Sequence, residues 1–276
     1  MKKLYGVLGN PIKHSLSPLI HNDAFVHNGI DGTYLPFLIE APYLKQAVEG
    51  MKALGAGGFN VTVPFKTDII PYLDQLDDFA KSVGAVNTVV VKNQKLYGYN
   101  TDGPGFVKGL LDFMEGSLHD KHVLIIGAGG AARGIYFAMA GYPLARLDMA
   151  NRTETSALKL IKDGSFDIHS AALSLDKAEE NLANYDIVIQ TTSVGLANPN
   201  ESPLSLENIK RDTVVCDIIY NPLKTKFLKE AEQKGCLIQT GVDMFVNQAV
   251  LAFELWTEKS PDAERMKQLV LRNLGG

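Results

Sequence analysis

Two cysteines, Cys216 and Cys236, are all the thiols that 276 residues provide, and both lie in apolar stretches beside Val215 and Leu237. That number and setting predict core packing and leave little material for a disulfide framework or a cysteine-ligated metal. Long apolar runs are missing as well. No stretch approaches the roughly 18 residues of a membrane span, and the N-terminal residues reach Gly9-Asn10-Pro11 before a signal-peptide core can form. A soluble, cytoplasmic protein that engages no membrane is expected. An excess of one charge is also lacking, with 27 basic against 31 acidic side chains. No basic face for nucleic acid follows, and the expected partner is a small molecule. His14, His21 and His27 cluster without metal-ligand spacing to any Cys or carboxylate, so no metal site is expected and ordinary polar or capping roles are assigned to them. The assembly is not legible, and a homodimer is left open.

What is present is an alternation of strand-like and helix-like segments in a chain that is 46% hydrophobic. Leu4 to Leu8, Thr33 to Ile39 and Phe59 to Val63 read as strands. Ser17 and Pro18 read as the cap and first turn of a helix that Gly29 stops, and Leu44, Val48 and Met51 mark a second. Asn93-Gln94 joins Asn87 to Lys92 and Leu96 to Tyr99 as a hairpin. Beyond Asp102 the strands become His122 to Ile126, Arg146 to Ala150, Phe166 to His169, Tyr185 to Gln190, Val214 to Ile219 and Leu237 to Gln239, the rhythm of a dinucleotide-binding sheet. The class is therefore α/β, with residues 1–101 and 243–276 forming an α/β substrate domain and 102–242 a Rossmann-like domain.

The second domain supplies its own motif. Gly127-Ala128-Gly129-Gly130-Ala131 follows an apolar strand and opens a helix, the setting in which glycines let backbone N–H groups approach a pyrophosphate. After the next strand, where a carboxylate would bind a ribose hydroxyl, the chain has Asn151-Arg152-Thr153. An amide, a guanidinium and a hydroxyl suit a 2′-phosphate, so NADP is the expected cofactor. The ordinary alternative is a solvated Arg152 and a helix-capping Asn151.

In the first half, polar residues cluster at strand ends. Ser15 and Ser17 stand at a helix N-terminus suited to a carboxylate. Lys66 and Asp102 are a cation and an anion that could hold a lysine ready to protonate a carbonyl oxygen. Taken singly, each has a structural explanation: Ser17 and Asp102 as caps, Lys66 as a solvated chain, Asn87 as a turn residue.

Together, Gly9 to Ile12 with Ser15 to Pro18, Asn60 to Lys66, Gly84 to Asn87, Asn100 to Gly103, Gly127 to Ala131, Asn151 to Thr153, Asp217 with Tyr220-Asn221-Pro222, and Gly241 to Gln248 resemble the NADP-dependent shikimate dehydrogenase family. The match keeps the family's order across essentially the whole chain. The resemblance implies two domains flanking a cleft, the C-terminal helices returning to the first domain. It implies reversible reduction of 3-dehydroshikimate to shikimate, with Lys66 and Asp102 as the catalytic pair. Ser15 and Ser17 would hold the substrate carboxylate, and Thr62, Asn87, Asp102, Tyr220 and Gln248 the rest of the ring. Asp78, Ile218 and Gly241 match positions near the nicotinamide. One departure stands out: Ser156 occupies a place where many family members have a second basic residue, leaving Arg152 as the main cation. A quinate/shikimate dehydrogenase with relaxed cofactor use, a methylene-tetrahydrofolate dehydrogenase and a non-catalytic NADP-binding sensor are the alternatives. The Ser15/Ser17 cluster and Gln248 disfavour the folate enzyme, and the Lys66/Asp102 pair disfavours the sensor.

Overall fold

The computed structural model describes residues 2–275. It divides into two compact units, residues 1–101 with 246–276, and residues 102–245.

The first unit is built on β1 (Lys3–Gly9), α1 (Ser17–His27), β2 (Gly32–Leu38), α2 (Leu44–Ala53), β3 (Gly58–Val61), β4 (Gln75–Leu76), α3 (Asp78–Val83), β5 (Thr88–Lys92) and β6 (Lys95–Tyr99). Its sheet runs β2-β1-β3-β5-β6-β4. β1 pairs in parallel with β2 and β3, whereas β5 is antiparallel to β3 and β6. The β5–β6 turn places Asn93 and Gln94 both at positive φ, 52° and 59°, as a two-residue hairpin demands. Leu8, Phe59, Val61, Phe65, Ile69 and Val89 form one core cluster of this unit. Each such side chain, fully buried, is worth about 1.5–3 kcal/mol.

The second unit holds α4 (Asp102–Phe113), β7 (His122–Ile126), α5 (Gly130–Met139), β8 (Arg146–Ala150), α6 (Glu154–Gly164), β9 (Ala172–Leu173), α7 (Leu175–Glu180), β10 (Ile187–Gln190), β11 (Val214–Asp217), α8 (Lys226–Gln233) and β12 (Leu237–Gln239). The order β12-β11-β10-β7-β8-β9 is parallel throughout. This is the doubly wound dinucleotide arrangement, with its switch point between β7 and β10. The strand expected at 166–169 does not form. Ser165 ends α6 in the left-handed region at φ 47°, and Phe166 instead packs edge-on against Phe137, ring centroids 5.1 Å apart. The chain meets the sheet edge later, where the His169 and Ala171 carbonyls accept from the Leu147 and Met149 N–H groups of β8, both at 2.9 Å, and forms a strand only at β9.

α9 (Gly241–Thr257) starts in the second unit and continues into the first, followed there by α10 (Ala263–Asn273). The indole of Trp256 on α9 donates to the Val89 carbonyl at 3.0 Å, and Arg265 on α10 forms a two-pronged ion pair with Asp23 of α1. Both contacts bind the C-terminal helices into the first unit. Cys216 and Cys236 are free and buried. No described helix is long and apolar enough to cross a membrane.

Candidate active site

At the switch point, Gly127 has φ +116°, and a Cβ there would lie 2.5 Å from Thr191 Oγ1. A side chain is excluded on both counts. Thr191, at the end of β10, donates its hydroxyl to the Ile126 carbonyl at 2.6 Å. The Gln190 side chain then braces the following turn by donating to the carbonyls of Thr192 and Val194. This Gln190-Thr191 brace was not read from the sequence; the run Gln190-Thr191-Thr192-Ser193 at a strand end was the available signal.

Gly129 and Gly130 present the opposite situation. Both are exposed, and a Cβ on either would meet nothing within 4 Å. The start of α5 is thus accessible to an anion, whereas Ala132 behind it is fully buried against the sheet. Ala128 and Ala131 are partly buried in the same loop. At the end of β8, Asn151 donates to the Thr153 carbonyl at 2.9 Å, and Arg152, Thr153 and Ser156 are exposed. Thr153 takes the N-cap position of α6 without a side-chain cap bond, so its hydroxyl is not committed to that role.

The structure brings Ile218 and Gly241 together. A Cβ on Gly241 would run into the Ile218 carbonyl, so only glycine lets α9 begin against this loop. The loop itself is held by Asp217, which is 1% exposed. Its carboxylate accepts from the Ile219 N–H at 2.9 Å and from the Thr225 hydroxyl at 2.7 Å. Burial outweighs these two bonds and pushes its pKa up to about 6. Tyr220, half-buried on the same loop, packs on Phe245 at 4.5 Å between ring centroids. A surface cavity of about 450 Å³ lies at the opposite end of this sheet, lined by Lys121, Asp186, Val214 and Leu237 near the strand N-termini. In open α/β sheets ligands bind at the other end.

In the first unit, the structure revises one local reading. Helix α1 begins at Ser17 itself, with Leu16 at the N-cap position and no side-chain cap bond. Ser15 takes the capping part by accepting from the Ser17 N–H at 3.3 Å, and Ser17 is buried. Thr62 and Lys66 follow β3, both partly buried. The Lys66 carbonyl accepts from the Val86 N–H at 2.8 Å, tying the lysine's backbone to the residue before Asn87. Asn87, 3% exposed, accepts from the Thr101 N–H at 2.7 Å and donates to the Thr101 hydroxyl at 2.9 Å. Asp102 follows directly as the first residue of α4 in the second unit, and it is buried. Gln248 is a half-buried residue of α9 within the first unit.

Asp78 opens α3 and is exposed. The acidic run around it is not merely a solvated helix face. Asp77 caps α3 by accepting from Phe79 and Ala80 N–H groups, and Asp74 accepts from the Leu96 N–H at 2.7 Å. His21 also departs from the ordinary polar role assigned to it. It is completely buried, and neither ring nitrogen has a hydrogen-bond partner among the described residues. Burial pushes its pKa down to about 3. No group of His, Cys, Asp and Glu among the described residues is arranged to hold a metal ion.

A parallel sheet of this order, with an accessible glycine loop at its switch point, places the chain among the dinucleotide-dependent α/β oxidoreductases. Residues 7–89 match the family described as shikimate dehydrogenase substrate binding domain, residues 110–219 shikimate / quinate 5-dehydrogenase, and residues 241–271 the shikimate 5'-dehydrogenase C-terminal domain. The chain belongs to the shikimate dehydrogenase family. It is 54% identical to a shikimate dehydrogenase (NADP(+)) of Bacillus cereus over the whole of both chains. Among solved structures, it is similar to a shikimate dehydrogenase in complex with NADP+, at 37% identity and TM-score 0.92, over 99% of this chain and 96% of that one. It is also similar to the Thermus thermophilus enzyme in complex with NADP(H) and shikimate, at 35% identity and TM-score 0.89, covering 98% and 99% of the two chains.

Proposed function

We propose that the chain catalyses the reversible NADPH-dependent reduction of 3-dehydroshikimate to shikimate through Lys66 and Asp102. The activity itself accords with the family membership and with relatives that carry it across their whole length. Its substrate is a small molecule. The observation that carries the cofactor assignment is the open Gly129-Gly130 turn at the start of α5, beside the exposed Arg152 at the end of β8.

Gly127 to Ala131 would hold the pyrophosphate on backbone N–H groups, and Asn151, Arg152, Thr153 and Ser156 the 2′-phosphate. Ile218, Gly241 and Asp78 would border the nicotinamide. When bound, NADPH supplies the hydride for the substrate ketone. Lys66 donates the proton that the developing alkoxide needs, and Asp102 orients the lysine and the substrate hydroxyls. Ser15 and Ser17 receive the carboxylate. Thr62, Asn87, Tyr220 and Gln248 fix the ring. In the oxidative direction Lys66 takes the proton back.

Lys66→Ala tests this reading. Turnover should fall by about 100- to 10,000-fold, the usual worth of a positioned acid or base, with shikimate binding largely kept. Turnover near that of the parent would remove Lys66 from the proton-transfer step.

A further inference from the structure

β11 ends at Asp217, and the backbone groups that follow must find partners outside the strand ladder. The Ile218 N–H donates to the Gln190 carbonyl at 3.1 Å, and the Ile219 carbonyl accepts from the Gly241 N–H at 3.3 Å. The Ile219 N–H turns to a side chain instead, Asp217 Oδ1 at 2.9 Å. Ile219 is buried and stands directly between Ile218 and Tyr220. The bond from Asp217 therefore governs how both neighbours leave the chain.

An aspartate that accepts from the N–H two residues on is still free to turn about its last side-chain bond, a broad torsion. Thr225 removes that freedom. Its hydroxyl donates to Asp217 Oδ2 at 2.7 Å, which uses its single hydrogen. Its oxygen accepts from the Leu228 N–H at 3.4 Å, as the N-cap of α8. At pH 8 the carboxylate is ionised, above the pKa of about 6 to which burial raises it, and it can only accept. The direction of the Thr225 bond is thereby fixed. Thr225 has no solvent exposure, and its methyl has a separate neighbour: a Cβ on Gly195, in the turn after β10, would meet Thr225 Cγ2 at 3.4 Å. The hydroxyl is tied to the Tyr220 loop and the methyl only packs.

We propose that Thr225 is a positioning residue for the substrate ring, holding Tyr220 in place through Asp217 and the Ile219 N–H. This rests on the reading of Tyr220 as a substrate contact. Without the hydroxyl, Asp217 turns, the Ile219 N–H loses its fixed acceptor, and Tyr220 is presented in several positions instead of one. The substrate must then order the loop itself, at a cost in affinity. The groups that move the proton and the Gly127 to Ala131 loop are untouched.

Paired substitutions separate the bond from the packing. Thr225→Val keeps the methyl and removes the hydroxyl, whereas Thr225→Ser keeps the hydroxyl and removes the methyl. Both are compared with the parent by steady-state kinetics with shikimate and NADP+ at pH 8, with circular dichroism to verify folding. Thr225→Val should raise the KM for shikimate about three- to tenfold, the usual worth of one hydrogen bond. Thr225→Ser should change it less than about twofold, because the bond to Asp217 is kept. The inhibition constant of adenosine 2′,5′-bisphosphate, which carries the 2′-phosphate without the nicotinamide, should stay within about twofold in both, as for a distant, independent site. In a Tyr220→Ala background, Thr225→Val should add less than about twofold. Should Thr225→Val fail to fold, Asp217→Asn takes its place. That amide still accepts from Ile219 and meets Thr225 with an N–H group, so a smaller rise of the same kind is expected. An unchanged shikimate KM, a serine variant as impaired as the valine one, or equal weakening of the bisphosphate would overturn the proposal. If Tyr220→Ala by itself leaves the shikimate KM unchanged, the reading of Tyr220 falls and the proposal with it. If that variant raises KM and the cycle is additive, only the role of Thr225 falls.

Discussion

The imidazole of His21 lies on the phenol ring of Tyr34, the two planes only 17° from parallel, and the histidine is held there as a neutral group with a pKa pushed down to about 3 by burial. The unfolded chain binds a proton at this residue below about pH 6.5, whereas the folded chain resists doing so. Stability from this group is therefore complete above about pH 6.5 and is lost as pH falls from there towards 3. His21→Phe keeps an aromatic ring in the stack and removes the titration. Trp256, the chain's single tryptophan, lies 5.2 Å from His21 and reports on the same unit. Melts followed by its fluorescence should show the variant gaining on the parent as pH drops from 7 to 4.5. A constant difference across that range would contradict the assignment.

Asp217 predicts the opposite sign in the second unit. Its pKa is raised from 3.8 to about 6, so the folded state holds a proton that the unfolded state has released. Stability falls as pH rises through that window. Asp217→Asn should therefore compare more favourably with the parent at pH 7 than at pH 4.5, by on the order of 1–3 kcal/mol. Circular dichroism melts at the two values read this difference. The reverse order would show that the Ile219 and Thr225 bonds, rather than burial, dominate at this carboxylate.

The cofactor corner predicts a selective effect. Arg152→Ala should raise the KM for NADP+ on the order of tenfold, as loss of a charged hydrogen bond does, and leave the KM for NAD+ nearly unchanged. Ser156→Arg should lower the KM for NADP+ without improving NAD+. Equal effects on both dinucleotides would show that this corner does not read the 2′-phosphate.

Much of the fold was legible because its signals are local. Val123 to Ile126 followed by Gly127 is a strand and a turn on any reading, and the Asn93-Gln94 hairpin requires only its own two residues. Phe166 to His169 misled because an apolar aromatic need not enter a sheet: Phe166 stays 37% exposed and meets the Phe137 ring of α5 edge-on. The residues proposed for the site carry a signal in the sequence, whereas their supports carry none. Ser17, Asn60 and Asn87 stood out as polar groups near element ends. That Tyr34 meets Asn60 across 26 residues, and that Asp217 reaches forward to Thr225 to brace the Tyr220 loop, are products of sheet order and burial, which no spacing in the sequence encodes. The same holds for Gly241, whose need to be glycine comes from the Ile218 carbonyl above it.

The central claim is the reaction itself, and NADPH absorbance followed with shikimate or quinate and with NADP+ or NAD+, in all four combinations, tests it most directly. Shikimate with NADP+ should give the highest kcat/KM of the four. Absence of NADPH formation from shikimate, or faster turnover of quinate with NAD+, would contradict it.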